Sequence, residues 1–434
     1  MPPQLVDPVS IDPIIASGVL EELIPCGDPA AQAKSGTMKV AIVGGGVGGL
    51  TAALALARKG IEVEVFEQAP AIAPVGASLQ LGPNALRLLD ELGLLPQLRG
   101  IGVRPERVDF IRWDDASLLH RTVLGAAMED HFGAPQLDFF RPDLHRVLVE
   151  ALPRDALRLG ARVASVAQGA GSVAVVLADG TCVEADVAVA ADGIRSLLRQ
   201  QLAGADDPVF SGTVVYRGVV RRDAVAELHP EHVNHYWLGP YRHGVSYWIS
   251  GGELLAVNCA VQRADWSEES WTLEAPAEEA IRYFDGWHES LLERMRRCGS
   301  LLRGAVFVRH RLAHWTFGRV TLLGDAAHAM EPFQAQGAAQ AVEDAFVLAE
   351  CLASARADVL GALGRYESIR MARAEELQES SHAAANVFYL PDGAEQRARD
   401  ASYASLHENQ PWGPRQRIWE YDVRDALAGS SAEP

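Results

Sequence analysis

The sequence predicts an α/β fold: a Rossmann-like dinucleotide-binding domain, a strand-rich second region, and helices towards the C-terminus. Three observations lead there. A strand, a glycine-rich turn and a helix follow one another from Lys39, around Gly44-Gly45-Gly46-Val47-Gly48-Gly49. Two short apolar runs far along the chain, Val187–Ala191 and Val320–Leu323, read as strands, and each ends beside an Asp-Gly or Gly-Asp pair. Between these runs, from about 208 to 318, the pattern turns to alternating strands.

Taken in order, residues 1–37 are Pro-rich, acidic and weakly patterned, and are expected to be a flexible N-terminal extension. Val40–Val43 (strand), Val47–Arg58 (helix) and Glu62–Phe66 (strand) form a βαβ unit, which implies a parallel sheet. Pro83–Leu95 and Arg141–Leu152 read as helices, the first with Pro in its first turn and Gly93 near its end. Arg162–Ala191 is strand-rich, with a hairpin turn at Asp179-Gly180. The region 208–318 offers strands at Thr213–Val220, Val245–Ser250 and Leu254–Val261 and a helix at Ala277–Arg297. Six of the nine tryptophans fall there, which suggests an aromatic-lined surface or cavity, with core packing the alternative for each ring. An Ala-rich helix then runs to Ser354 and another covers Asp358–Val387; Trp412, Trp419 and Tyr421 are expected to dock the tail.

Composition narrows the function classes. The 434 residues carry 39 basic and 57 acidic side chains, a net charge of −18, which excludes the basic footprint of a nucleic-acid binder. With 48% hydrophobic and 22% charged residues the chain is far from disorder. Val40–Ala57 is 18 residues without a charge, the length of a short membrane span. Five glycines and a strand-forming start make it a strand, turn and helix instead, so no membrane partner is expected. The five cysteines show no CxxC or zinc-type spacing, so no metal is expected. Without a charged-then-apolar leader, the cytoplasm is the expected location.

The chemistry starts at Gly44, Gly46 and Gly49, a GxGxxG between strand and helix. The first glycine makes the tight turn, the second lets backbone approach a pyrophosphate, and the third packs helix on strand. Glu67 ends the next strand, 23 residues after Gly44, where a carboxylate accepts ribose hydroxyls. Gly169-Ala170-Gly171 is followed by a strand and is discarded. One adenine-dinucleotide site therefore stands, without the second GxGxxG or redox CxxC of a two-dinucleotide reductase.

Asp192-Gly193 after the first apolar run, and Gly324-Asp325-Ala326-Ala327-His328, Pro332, Gln336-Gly337 and Glu343-Asp344 after the second, complete a series. In this order and spacing it resembles the single-component FAD-dependent aromatic hydroxylases, the class A flavoprotein monooxygenases. Within them it is similar to the salicylate-hydroxylase-like branch, which includes 3-hydroxybenzoate 6-hydroxylases and 6-hydroxynicotinate 3-monooxygenases. The match spans about residues 38–390.

The resemblance implies an FAD-binding domain interleaved with a mixed-sheet substrate domain, followed by C-terminal helices. The expected division is 38–207 (FAD-binding, first part), 208–318 (substrate domain), 319–390 (FAD-binding, second part, with helices) and 391–434 (tail). Gly44, Gly46, Gly49 and Glu67 would hold the ADP half of FAD, and Arg141 would reach the flavin side. Asp192 would brace the pyrophosphate region, and Asp325 would accept a ribityl hydroxyl. Gln336 and Gly337 would open a helix aimed at the flavin pyrimidine edge. Pro332 would sit over the flavin where oxygen adds, and Phe333, where relatives often have His, would make the pocket less polar. Ala339 replaces a second glycine of the relatives. Tyr216 could face the substrate; Arg217 could bind a carboxylate or serve a structural pair. His328 is expected to be structural, and Glu343 and Asp344 to pack or cap.

The implied activity uses NADH or NADPH and molecular oxygen, through a flavin C4a-hydroperoxide, to hydroxylate a small phenolic aromatic. The chain would be a monomer or homodimer. An N-heterocycle or natural-product scaffold is the alternative substrate, and an FAD-bearing redox sensor the distant alternative.

Overall fold

The computed structural model describes residues 37–72, 77–266, 273–355, 357–409 and 412–429; the expected flexible extension lies outside them but for Thr37. One six-stranded sheet runs Thr316–Phe317, Val320–Leu322, Val187–Ala190, Lys39–Val43, Glu62–Glu67, Leu157–Leu159. All its pairings are parallel except that of the edge strand Thr316–Phe317. Burial on both faces explains the small, β-branched composition of its three middle strands. The register sets the site: Val43 pairs with Ala190, and Ala190 with Leu322. Three segments distant in sequence thus end side by side, and Gly44, Asp192 and Gly324 emerge at one edge, where open α/β sheets bind ligands.

The helices Val47–Arg58 and Gly337–Ser354 cross that edge close together. A Cβ on Gly48 would lie 3.0 Å from Ala341 Cβ, so small residues on both sides permit the approach.

The second sheet has eight strands in the order Leu273–Pro276, Ser300–Val308, Val209–Arg221, Leu254–Gln262, Arg242–Ile249, Val233–Gly239, Arg107–Arg112, Leu118–Val123. Its last two strands come from inside the 38–207 segment, so the sheet crosses the expected boundary at 207. The parallel pairing of Val233–Gly239 with Arg107–Arg112 is the seam.

Several expectations change in detail. The helix expected over Pro83–Leu95 is two, Pro83–Glu91 and Leu95–Ile101, with a turn at Gly93. The helix expected over Ala277–Arg297 is also interrupted, into Ala277–Ile281, a 3-10 turn and Glu289–Cys298, because Gly286 adopts φ 78°. The aromatic-lined cavity is not what the described tryptophans form. Trp237, Trp248 and Trp287 fill the core between the eight-stranded sheet and the Glu289–Cys298 helix, and Trp315 joins the core of the first sheet. Trp271 lies outside the described residues. No helix among the described residues is long and apolar enough to cross a membrane.

Candidate active site

The glycine turn fits an extended anionic ligand by its shape. Gly44 adopts φ 108°, and a Cβ there would sit 2.3 Å from the carbonyl oxygen of Ala191. A Cβ on Gly49 would sit 2.0 Å from the Gly44 carbonyl oxygen, so the helix packs on the turn only without one. Gly46, by contrast, faces open space with nothing within 4 Å, at the N-terminus of Val47–Arg58. An opening at a helix N-terminus suits an anionic group such as a pyrophosphate. Glu67 is already held beside it: its Oε2 accepts from the Gly45 amide at 2.8 Å and its Oε1 from the Ala69 amide at 2.8 Å. His145, from the Arg141–Ala151 helix, donates through Nε2 to the Gly45 carbonyl at 2.6 Å.

Asp192 and Asp325 flank the turn differently. Asp192 Oδ2 caps the Leu197–Ala203 helix, accepting from the amides of Leu197 (2.9 Å) and Leu198 (3.3 Å). Its buried Oδ1 has no hydrogen-bond partner, and burial raises its pKa. Asp325 is exposed, with Oδ1 3.8 Å from where a Gly337 Cβ would stand, so carboxylate and helix start share one opening. Arg199 ties these parts together by donating to the carbonyls of Ala326 (3.1 Å), Ala327 (3.0 Å) and His310 (2.6 Å).

Behind the opening lies a buried polar network. Arg370 is fully buried and pairs with Glu343 and Asp344, each at 2.8 Å, and donates to Gln340 Oε1 at 2.6 Å. Glu343 Oε1 also accepts from Asn84 Nδ2 at 2.7 Å, and the same nitrogen reaches Gln336 Oε1 at 3.0 Å. Asp344 Oδ2 accepts from the Gly324 amide (3.0 Å) and from His328 Nε2 (2.7 Å). Burial alone would raise the Asp344 pKa, but His328 and Arg370 hold it down to about 2. The network fixes the side chain of Gln336 and the backbone of Gly324 to one frame. His328, Glu343 and Asp344 thus hold structure, and Gln336 belongs with them.

The eight-stranded sheet supplies the other wall, and strand parity decides which side chains face it. Val214, Tyr216 and Val220 point into the tryptophan-rich core. The expectation that Tyr216 faces the substrate is therefore corrected: its hydroxyl donates to Glu279 Oε1 at 3.2 Å, and burial, with Tyr283 and Glu279 beside it, raises its pKa. Arg217 points the opposite way. Its cross-strand neighbours are Asn258, then Val245, then Tyr236.

That row meets the cofactor side through the two-stranded antiparallel ribbon Ser78–Leu81/Leu137–Phe140. Tyr247 (2.7 Å) and Asn258 (3.0 Å) both donate to Ser78 Oγ, and Tyr236 donates to Gln80 Oε1 at 3.0 Å. Arg141 opens the helix that directly follows the strand Leu137–Phe140. Burial, with the Arg141 guanidinium nearby, lowers the Arg217 pKa to about 10.

Pro332 is exposed and starts a 3-10 turn that ends at Ala335 in the left-handed region (φ 54°, ψ 39°). Phe333 is buried against His243 (5.5 Å between centroids), Phe388 (5.9 Å) and Tyr389 (5.4 Å). His243 lies two residues before Val245 on the same strand face, so the turn sits about 7 Å along the sheet from the row of Arg217. Phe333 thus anchors the turn while Pro332 stays accessible.

Arg370, Arg199, His145 and Asn84 were not foreseen. For Arg370 a signal existed: Gln336, Gln340, Glu343 and Asp344 recur along an otherwise apolar helix and need a cationic partner once buried. Arg199 and His145 act on backbone carbonyls, for which the sequence offers no pattern.

Comparison with known proteins agrees with this geometry. Residues 37–381 match the family model described as an FAD binding domain. The chain is 40% identical over 392 residues to a 3-amino-4-hydroxybenzoate 2-monooxygenase of Streptomyces platensis, covering 90% of this chain and 98% of that one. It is 33% identical over 395 residues to the 3-hydroxybenzoate 6-hydroxylase of Polaromonas naphthalenivorans, covering 90% and 98%. Among solved structures, a salicylate hydroxylase substrate complex superposes with a TM-score of 0.79 at 29% identity, covering 92% of this chain and 99% of that one. The open space at Gly46, the orphaned Oδ1 of Asp192 and the free approach to Asp325 suit FAD. The chain belongs to the FAD-binding-domain family, as a class A flavoprotein monooxygenase that holds FAD and draws electrons from NADH or NADPH.

Proposed function

We propose that the chain hydroxylates a small phenolic aromatic that carries a carboxylate, of the aminohydroxybenzoate or hydroxybenzoate kind, with molecular oxygen as cosubstrate. The observation that carries this reading is Arg217, a half-buried arginine that strand parity turns away from the tryptophan-rich core, beside Asn258. A fixed cation in a partly dry cleft suits an aromatic carboxylate. The relatives named for 3-amino-4-hydroxybenzoate and 3-hydroxybenzoate support the class. The bound flavin supplies the oxygen-transfer chemistry. Gly44, Gly46, Gly49, Glu67, Asp192, Asp325 and the Gly337 helix start would hold it, with Arg141 as a further cofactor contact. Arg217 and Asn258 would hold and orient the substrate, and the Phe333 cluster would keep water from the Pro332 turn. We place the enzyme in the cytoplasm, as a monomer or homodimer.

The test is a panel of 3-amino-4-hydroxybenzoate, 3-hydroxybenzoate, salicylate and 6-hydroxynicotinate, with 2-aminophenol and phenol as carboxylate-free counterparts, scored for NADH and NADPH oxidation and for product mass. A carboxylated phenol that stimulates oxidation and gains one oxygen atom is the expected result. Stimulation only by phenols lacking a carboxylate would defeat the role of Arg217. The 6-hydroxynicotinate arm tests the N-heterocycle reading, which a 34% identical 6-hydroxynicotinate 3-monooxygenase of Pseudomonas fluorescens favours.

A further inference from the structure

The C-terminal segment does more than cover the core. It runs from Trp412 through a 3-10 turn, Gly413–Arg415, and the short helix Gln416–Glu420. Arginines of two other segments hold it. Arg87 donates to the carbonyls of Trp419 (2.9 Å) and Tyr421 (2.8 Å), and Arg373 to that of Ile418 (3.2 Å) while its guanidinium lies 4.3 Å from the Tyr421 ring centroid. Trp412 donates to the Val123 carbonyl at 3.0 Å and packs edge-on against Phe132. A segment fixed at so many points presents its remaining side chains in a set place.

Arg415 is the side chain so presented. It lines a small polar pocket with Gln80, Gly82, Gln136, Gln334, Ala335, Gln336 and Trp419. Among the described residues no carboxylate lies within ion-pair distance of it. Its guanidinium instead donates to the Phe333 carbonyl at 3.4 Å and stands 5.9 Å from the Tyr236 ring centroid. The turn it touches is the one that needs holding. Ala335 sits in the left-handed region, a strained conformation for a non-glycine residue that persists only where its surroundings over-determine it.

We propose that Arg415 is a positioning residue: the C-terminal segment delivers it to the Pro332–Gln336 turn, where it fixes the strained backbone that places Pro332 and the Gly337 helix start against the flavin. The proposal rests on the monooxygenase activity but not on which phenol is used. The C-terminus thereby sets how much reduced cofactor ends in hydroxylated product rather than in hydrogen peroxide, since small displacements of a reacting geometry cost large factors in rate.

The experiment compares Arg415→Ala, Arg415→Lys and, as a control, Arg417→Ala, an exposed residue two positions on. Each is measured for FAD dissociation constant, for melting temperature, and for the ratio of peroxide to hydroxylated product per NAD(P)H with 3-amino-4-hydroxybenzoate as probe. Arg415→Ala is expected to weaken FAD binding and raise the peroxide-to-product ratio, each by about tenfold, Arg415→Lys to recover part of both, and Arg417→Ala to change neither. The decisive arm adds Ala335→Gly. A glycine relaxes the turn without Arg415, so the double variant should lose less than the two single effects combined. Wild-type FAD affinity and coupling in Arg415→Ala would overturn the proposal, as would full additivity with Ala335→Gly. Wild-type protein that forms no product from the probe defeats the substrate reading instead, and the FAD arm still decides this one.

Discussion

The cofactor cradle and the substrate cleft are built from different material. The cradle is backbone: the turns at Gly44, Asp192 and Gly324, brought level by the register of three parallel strands. The proposed cleft is side chains: Arg217, Asn258 and Tyr236 from three strands of the second sheet, Ser78 from the two-stranded ribbon, Arg141 from the helix after it, Pro332 and Arg415 from two turns. A backbone cradle tolerates almost no added atom, because its parts touch already. A side-chain wall can be altered at one residue and keep its shape, which allows one fold to serve different phenols.

The contrast can be broken at its most rigid point. Gly49→Ala places a Cβ 2.0 Å from the Gly44 carbonyl oxygen and should cost FAD affinity about a hundredfold or more, read from flavin retained on purification and from titration of the apoprotein. Next in size is the frame behind the cradle. Arg370→Met leaves Glu343 and Asp344 buried without their cation and should cost about 3–5 kcal/mol in urea unfolding.

The seam between the two regions predicts a pH effect. Asp138 is fully buried, accepting from Gln136 Nε2 (3.0 Å) and Asn234 Nδ2 (2.7 Å), and burial pushes its pKa up to about 7. Its unfolded value is near 3.9, so between those limits the folded chain keeps a proton that the unfolded chain releases. Stability should therefore fall as pH rises from about 4 to 7, by up to ~1.4 kcal/mol per unit from this group, and Asp138→Asn should flatten that slope. An unchanged slope in the variant would show that the carboxyl is ionised in place.

The smallest effects separate adjacent residues on one strand. Arg217→Met should raise KM for a carboxylated phenol by tenfold or more, roughly 1.5–3 kcal/mol, with little change for a neutral one. Tyr216→Phe, one position back and on the other face, should leave KM alone and cost about 1 kcal/mol of stability through the lost bond to Glu279. A KM effect at Tyr216 in place of Arg217 would invert the assignment of faces.

These residues also show how far a sequence can be read. The Val47–Arg58 helix was legible to its ends because a glycine turn and a charged last residue bracket an apolar run. Arg107–Arg112 and Leu118–Val123 were not. Their charged residues hide the alternation, and their partner strand begins at Val233. At Tyr216-Arg217 the strand itself was visible, but its facing was not, since both faces of that sheet are covered and either side chain could go inward. Phe333 shows the same limit: the sequence places it beside Pro332 but does not say that its ring packs against His243, Phe388 and Tyr389.

The sequence alone determined the α/β class, the glycine turn between strand and helix and the order of the FAD-binding motifs, because each is carried by a pattern of residues adjacent in the chain. The tertiary structure decided which faces of the second sheet meet the cofactor, which arginine neutralises Glu343 and Asp344, and that the C-terminal turn reaches Phe333. Those outcomes depend on register and burial between segments from 27 to 169 residues apart, and local pattern carries no trace of them.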